Sequence, residues 1–154
     1  MDIPTKEYLF GSIFLLANKL QTLGDAFLEQ MTLKQWLLLI MIFNMENKQP
    51  SVTEIAEFIG STRQNVRKML GVLSAKGYVT LCVNKQDKRN LSVALTEKTF
   101  LFFTQFEAKG AAFLEQLFDG INADLQESAR ITMETLFNNL ERMKMQYEKS
   151  DRHI

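Results

Sequence analysis

The chain has 154 residues, of which 46% are hydrophobic and 23% are charged, and its formal net charge is zero. This length and composition predict a globular chain with one substantial core. The longest strongly apolar run, residues 36–43, is too short to span a bilayer, and the N-terminus lacks the pattern of an export signal. A single cysteine, Cys82, excludes an intramolecular disulfide, so we expect a cytoplasmic protein.

The first third of the chain predicts two helices. Residues 5–30 carry apolar side chains at helical spacing, in a band wider than a helix covered by its own chain needs. A second helix is expected from the N-cap Thr32 to about Met45, and its apolar residues on all sides predict burial. The polar stretch 46–50 ends in proline and predicts a loop.

Two capping patterns follow this loop. Ser51 and Glu54 form a Ser-x-x-Glu capping box before a short apolar helix that ends at Gly60. Ser61 and Gln64 form a second box, Ser-x-x-Gln, before a helix that ends near Lys76-Gly77. Two short capped helices joined by a glycine-containing turn predict a helix-turn-helix.

A β-hairpin is expected next. Residues 78–83 and 91–95 have the composition and alternation of strands, and residues 84–90 between them are polar and charged. A hairpin with a charged tip directly after a helix-turn-helix is a wing. The winged helix-turn-helix therefore spans roughly residues 51–96.

The remainder of the chain returns to helix. A phenylalanine-rich helix is expected to break at Asp119-Gly120, and a final helix is expected from about Asn122 to Tyr147. The charged tail, residues 148–154, is expected to fray. The phenylalanines between residues 100 and 118 and the eight methionines of the chain predict core packing, with the lining of an effector cavity as the alternative.

Positive charge is concentrated in one region. Residues 51–90 contain seven basic and three acidic residues, a net charge of +4, which leaves −4 for the rest of this neutral chain. Such asymmetry is what a phosphate-binding surface requires.

The second capped helix has the residue types of a major-groove reader. Its apolar positions form a stripe that would hold it to the body, and arginine, glutamine and asparagine pair with guanine or adenine. The same pattern also suits an ordinary surface helix with a polar first turn. The candidate DNA-binding residues on this helix are Ser61, Thr62, Arg63, Gln64, Asn65, Arg67 and Lys68.

The wing tip adds three cations, Lys85, Lys88 and Arg89, which suit the negative potential of a minor groove. Asp87 lies among them and is interpreted as the partner that stabilises the wing. The alternative is a solvated turn of mixed charge.

Taken in order, these features resemble the MarR family over essentially the whole chain. The resemblance rests on the Gln35-Trp36 helix, Ser51-x-x-Glu54-Ile55-Ala56, the Ser61-led helix, Leu73-x-x-Lys76-Gly77-Tyr78-Val79, Asp87-x-Arg89 and Leu95-Thr96. It implies a triangular dimer and repression from an imperfect inverted repeat, often relieved by a small ligand or an oxidant. By matching position, Arg89 is the minor-groove arginine and Asp87 its wing partner.

Three positions depart from the family pattern. Leu81 and Cys82 stand where an arginine is frequent, which shifts phosphate contact toward Lys85. Thr99 stands where a glycine is common, and the first helix lacks the cysteine of peroxide sensors. We interpret Cys82 as a packed core thiol, which disfavours a redox role.

The expected fold class is mostly α with a small β-hairpin wing: a winged helix-turn-helix dimerised through its N- and C-terminal helices. One domain covers residues 1–154, with a DNA-binding lobe at 32–98 and dimerisation helices at 1–31 and 99–147. The expected interface residues are Leu9, Phe10, Ile13, Phe14, Leu136, Phe137, Leu140 and Met143, which are apolar at helical spacing.

An enzyme is disfavoured because the only histidine, His153, lies in the tail, and no phosphate-binding glycine loop or metal-ligand spacing occurs. No cofactor and no metal are expected. The expected partners are double-stranded DNA, a second copy of the chain and an effector of unknown identity, with no membrane. The alternative function is a winged-helix module for protein–protein contacts, which the salt dependence of binding would separate from DNA reading.

Overall fold

The computed structural model describes residues 3–83 and 91–151. Within these residues the elements are α1 (Thr5–Leu28), α2 (Leu33–Asn44), α3 (Val52–Ile59), α4 (Arg63–Ala75), β1 (Val79–Val83), β2 (Leu91–Leu95), α5 (Glu97–Leu117) and α6 (Ala123–Asp151). The mostly helical fold with one small hairpin is therefore confirmed.

The chain forms two compact units, residues 1–105 and 106–154. The division falls within α5. The first unit contains α1 to α4, the hairpin and the start of α5, and the second contains the remainder of α5 and α6.

The core of the first unit is formed around α2, α3 and α4. The predicted burial of the second helix is confirmed for Leu38, Leu39 and Ile42, none of which is more than 2% exposed. It is wrong for Leu37, Met41 and Phe43, which are 37–44% exposed because they lie on the face of α2 that turns away from this core. The buried side chains of α2 share the core with apolar residues of the helix-turn-helix and of β2, which are Ile55, Val66, Leu70, Leu73 and Val93.

Capping boxes begin α2 and α3. The sequence predicts the box at α3, and at α2 it predicts only the N-cap Thr32. The Thr32 hydroxyl of α2 accepts a hydrogen bond from the backbone N–H of Gln35, whose side chain accepts one from the N–H of Thr32. At α3, the Ser51 hydroxyl accepts from the N–H of Glu54 at 3.1 Å, and the Glu54 carboxylate accepts from the N–H of Ser51 at 2.7 Å. These bonds satisfy N–H groups that the first turn of a helix leaves unpaired.

The box at α3 gives a testable pH dependence. The pKa of Glu54 is lowered by hydrogen bonds from the Ser51 N–H, the Ser51 hydroxyl and the Asn47 amide, in that order. A lowered pKa stabilises the fold above the unfolded-state pKa of about 4.3, and this contribution is lost as the pH falls through the folded-state pKa. We expect E54Q to cost less than about 1 kcal/mol of unfolding free energy at pH 7 and nothing at an acidic pH below the folded-state pKa of Glu54.

Urea unfolding of the wild type and E54Q at both pH values measures this difference. E57Q, on the same helix but outside the capping box, is the control. S51A removes the cap itself and should cost about 0.5–2 kcal/mol. If E54Q lowers the free energy of unfolding by the same amount at both pH values, the lowered pKa of Glu54 is contradicted.

The two strands pair antiparallel, with Val79 opposite Leu95 and Val83 opposite Leu91. The strand predicted from residue 78 begins at Val79. The root of the hairpin is joined to the start of α3, because the N–H of Val93 donates to the carbonyl of the buried Pro50 at 2.9 Å. Ser51 also forms an isolated bridge with Ser92.

In the second unit, α6 begins at the predicted place and ends later than predicted. The Asn122 side chain accepts a hydrogen bond from the N–H of Leu125 at 2.9 Å, as an N-cap does. The expectation that the tail frays after Tyr147 is wrong for residues 148–151, which remain helical. They contain neither glycine nor proline, so nothing in their chemistry ends the helix.

Among the described residues, no single helix has the length and apolar character needed to cross a bilayer. Of these helices, only α1 and α2 taken together have this length and apolar character, and the two are bent by 88° relative to each other.

Candidate nucleic-acid interface

The apolar stripe of α4 holds this helix to the core. Val66, Leu70 and Leu73 are at most 1% exposed, and Met69 is half-buried. Their spacing of three and four residues places them on one face of the helix. The predicted division of α4 into an apolar inner face and a polar outer face is present.

The outer face of α4 is cationic and open. Each of the side chains Arg63, Gln64, Asn65, Arg67 and Lys68 is exposed. Over the described parts of the chain, no acidic side chain forms an ion pair with any of the three cations among them. Their positive charge is therefore not neutralised locally, and the N-terminal end of the helix dipole adds to it.

The N-cap of α4 is Thr62, so the Ser61-led capping box is a wrong prediction. Thr62 has extended backbone angles (φ −80°, ψ 147°), and its hydroxyl accepts from the N–H of Asn65 at 3.2 Å. Ser61 belongs to the end of α3 instead, because its N–H donates to the carbonyl of Ala56 at 3.0 Å. Gly60 makes this turn with a left-handed φ of 67°, which glycine adopts without strain.

The predicted wing residues Lys85, Asp87, Lys88 and Arg89 lie outside the described residues. What the structure describes is the paired base of the wing, where Val83 lies opposite Leu91.

Cys82 is exposed, so its interpretation as a packed core thiol is wrong. Successive side chains of a strand point to opposite faces. On β1 the buried Val79 and the half-buried Leu81 share the inner face, and this alternation places Cys82 on the other face.

The junction between α4 and β1 is fixed by groups that the sequence did not identify as functional. Gly77 ends α4 with a φ of 81°, and the N–H of Tyr78 returns to the carbonyl of Leu73 at 2.9 Å. Thr99, the departure from the family glycine, is fully buried, and its hydroxyl donates to the carbonyl of Tyr78 at 2.5 Å. The hydroxyl of Thr96 donates to the same carbonyl at 3.1 Å. A buried threonine at position 99 therefore fixes the turn that leads from α4 into the wing.

The helix pair α3–α4, its three-residue turn and the hairpin that follows define a winged helix-turn-helix protein. The model of the MarR family matches residues 29–90. This match confirms the family resemblance of the sequence over the helix-turn-helix region.

Relatives by sequence include the HTH-type transcriptional regulators PrsX and PapX of Escherichia coli. PrsX is 23% identical over 141 residues, which cover 90% of this chain and 85% of PrsX. PapX is 22% identical over 124 residues, which cover 79% of this chain and 76% of PapX.

Solved structures with a similar fold include a MarR protein from Peptoclostridium difficile, with a TM-score of 0.80, 19% identity and coverage of 92% of this chain and 94% of that one. Sco3205 from Streptomyces coelicolor, solved in complex with DNA, has a TM-score of 0.76, 21% identity and coverage of 91% of both chains. The MepR–DNA complex of S. aureus has a TM-score of 0.74, 20% identity and coverage of 88% of this chain and 98% of that one.

Proposed function

We propose that this chain is a MarR-family transcriptional regulator. In this proposal it binds double-stranded DNA sequence-specifically, as a homodimer, at an inverted-repeat operator, and acts there as a cytoplasmic repressor. The observation that carries the proposal is the outer face of α4, where five exposed cationic and amide side chains project from the first turns of a helix whose other face is buried.

The chemistry of this face suits two kinds of contact. Arg63, Gln64 and Asn65 have donor and acceptor groups that match base edges in a major groove. Arg67 and Lys68, one turn further along, have the charge that binds phosphate. Lys85, Lys88 and Arg89 are proposed to contact the adjacent minor groove, and Asp87 to stabilise the wing. Ser61 and Thr62 complete the proposed contact set at the start of the helix.

The first unit supports dimerisation through α1. Leu9, Phe10, Ile13 and Phe14 are 40–67% exposed, although all four are apolar. The rings of Phe10 and Phe14 contact each other edge to face, with centroids 5.3 Å apart. An apolar helix face of this kind typically marks an interface between proteins.

The second unit supports the same interpretation independently. None of the side chains that the structure describes on α6 is buried. Leu136, Phe137, Leu140 and Met143 are 38–68% exposed and lie at helical spacing. A helix of 29 residues whose described side chains are all unburied gains little from its own chain, so we propose that a second copy covers this face.

A dimer also suits the DNA proposal. Two copies of α4 separated by about 34 Å meet successive major grooves on one side of the duplex. The resemblance to the MarR family adds a small-molecule effector to the proposal, and the phenylalanines of α5 are its candidate contacts.

The experiment that tests the proposal is selection of bound sites from random duplexes with the full-length protein. We expect an enriched inverted repeat, bound with an affinity that falls steeply as salt is raised. Failure to enrich any motif would overturn the proposal and favour the protein–protein module.

Substitutions on α4 separate base reading from phosphate binding. Q64A or N65A is expected to reduce discrimination between the selected operator and single-base variants by about 1–3 kcal/mol, with little change in non-specific affinity. K68A, as the matched control, is expected to weaken binding to all sequences and to reduce the salt slope by about 1.

Titrations of the operator, its variants and an unrelated duplex at several salt concentrations measure both effects. Equal losses on all sequences for Q64A and N65A would assign these two side chains to phosphate.

A further inference from the structure

The connection between α1 and α2 contains an unusual backbone conformation. Glu29 has φ 54° and ψ −44°, and it is the one non-glycine residue with a positive φ in the part of the chain that the structure describes. The N–H of Gln30 donates to the carbonyl of Leu28 at 2.5 Å, which closes a γ-turn around Glu29. A turn of this hand is strained for an L-residue and persists only where the surroundings fix it.

Two contacts fix this turn from the helix side. The Asp25 carboxylate of α1 accepts a hydrogen bond from the N–H of Leu33, the first residue of α2, at 2.6 Å. The Leu33 side chain packs on Gly24, where a Cβ atom would lie 2.8 Å from it. These contacts hold α1 and α2 at the bend of 88°.

Two further contacts come from the end of α4, more than forty residues away in sequence. The Lys76 ammonium donates to the carbonyl of Gln30 at 3.1 Å. The hydroxyl of Tyr78 donates to the side-chain Oε1 of Gln30 at 3.4 Å. Tyr78 is 4% exposed, and its ring contacts Phe102 edge to face at 5.8 Å, so the hydroxyl is held in place.

We propose that Gln30 is a positioning residue for DNA binding: through Lys76 and Tyr78 it locks α4 to the strained α1–α2 connection, and so sets the direction of α4 relative to α1. All four contacts lie within the first unit. The proposal rests on the proposed function in one respect, because α1 belongs to the proposed dimer interface. If α1 is fixed at the two-fold axis, its angle to α4 determines the separation of the two copies of α4. Gln30 then selects the spacing between operator half-sites without contacting DNA.

The first test measures geometry without DNA. Spin labels at K19C on α1 and V72C on α4, in a C82S background and diluted with unlabelled protein, report one intrachain distance. In the double variant K76M/Y78F, which removes both donors to Gln30, we expect the width of this distance distribution to at least about double. Q30E keeps both acceptors and should retain the narrow distribution.

K34M is the matched control for charge. It removes a lysine ammonium four residues from Gln30 that, among the described residues, makes no hydrogen bond or ion pair. A distribution in K76M/Y78F that is as narrow as in K34M would overturn the proposal, whether or not the protein binds DNA.

The second test uses operators whose half-sites are moved apart or together by one or two base pairs from the selected spacing. The wild type, K34M and Q30E are expected to keep a strong preference for one spacing. K76M/Y78F is expected to bind all spacings within about threefold of one another while remaining dimeric, because its α4 helices are no longer held at one separation. If K76M/Y78F keeps the spacing preference of the wild type, the positioning role is overturned. If the wild type binds no duplex, the proposed function is contradicted instead, and the distance measurement decides whether Gln30 positions α4.

Discussion

Replacement of Phe137 by glutamate is expected to convert the proposed dimer into monomers. Phe137 is 68% exposed in the single chain, and burial of a phenylalanine side chain contributes about 1.5–3 kcal/mol. A two-fold axis places this side chain in the interface twice. F137E therefore removes about 3–6 kcal/mol and adds two carboxylates without partners, so the dimer dissociation constant should rise at least about 10²- to 10⁴-fold.

Sedimentation over a range of protein concentrations measures the dissociation constant, and binding to the selected operator should weaken in parallel. N138E is the matched control, since it introduces the same charge on α6 at an exposed position about 100° further around the helix, away from the apolar face. A dimer in F137E as stable as that in N138E would exclude the face of α6 from the interface.

The second large effect is expected inside the helix-turn-helix. Leu70 is 1% exposed and lies in the stripe that holds α4 to the core. L70A removes buried methyl groups and leaves a cavity, which together cost about 2–5 kcal/mol. A loss of this size is a large part of the stability of a small domain.

Chemical unfolding at one fixed protein concentration measures this loss, because the stability of a dimer depends on concentration. V72A is the control: Val72 lies on the same helix and is 40% exposed, so its truncation should cost less than about 1 kcal/mol. Equal losses in L70A and V72A would contradict the assignment of the buried face of α4.

Local signals explain which parts of the fold the sequence predicted. The start of α3 follows from Ser51 and Glu54, since both hydrogen bonds of a capping box form within three residues. The inner face of α4 follows from the spacing of its apolar side chains. The N-cap of α4 was misplaced because Ser61 and Thr62 have similar chemistry, and only the path of the chain out of α3 decides between them.

Contacts between distant residues explain what the sequence did not reveal. Cysteine is a residue type that is usually buried, so the sequence favours a core position for Cys82. Its exposure depends instead on which face of β1 meets the helices. The contact of Lys76 with Gln30 spans 46 residues, and that of Thr99 with Tyr78 spans 21. No local pattern encodes such pairs, so the α1–α2 connection and the support of Tyr78 emerge only from the folded chain. The DNA-contact residues of α4 were proposed from residue type, and the structure adds that their side chains are exposed.

The joint between Pro50, Ser51 and β2 has a mechanical consequence. Ser51 caps α3 and also bridges to Ser92, while the carbonyl of Pro50 binds the N–H of Val93. These contacts tie the two-stranded sheet to the start of α3, so β2 moves together with the first turn of α3. In the proposed complex with DNA, a displacement of the hairpin base would therefore also displace the first turn of α3.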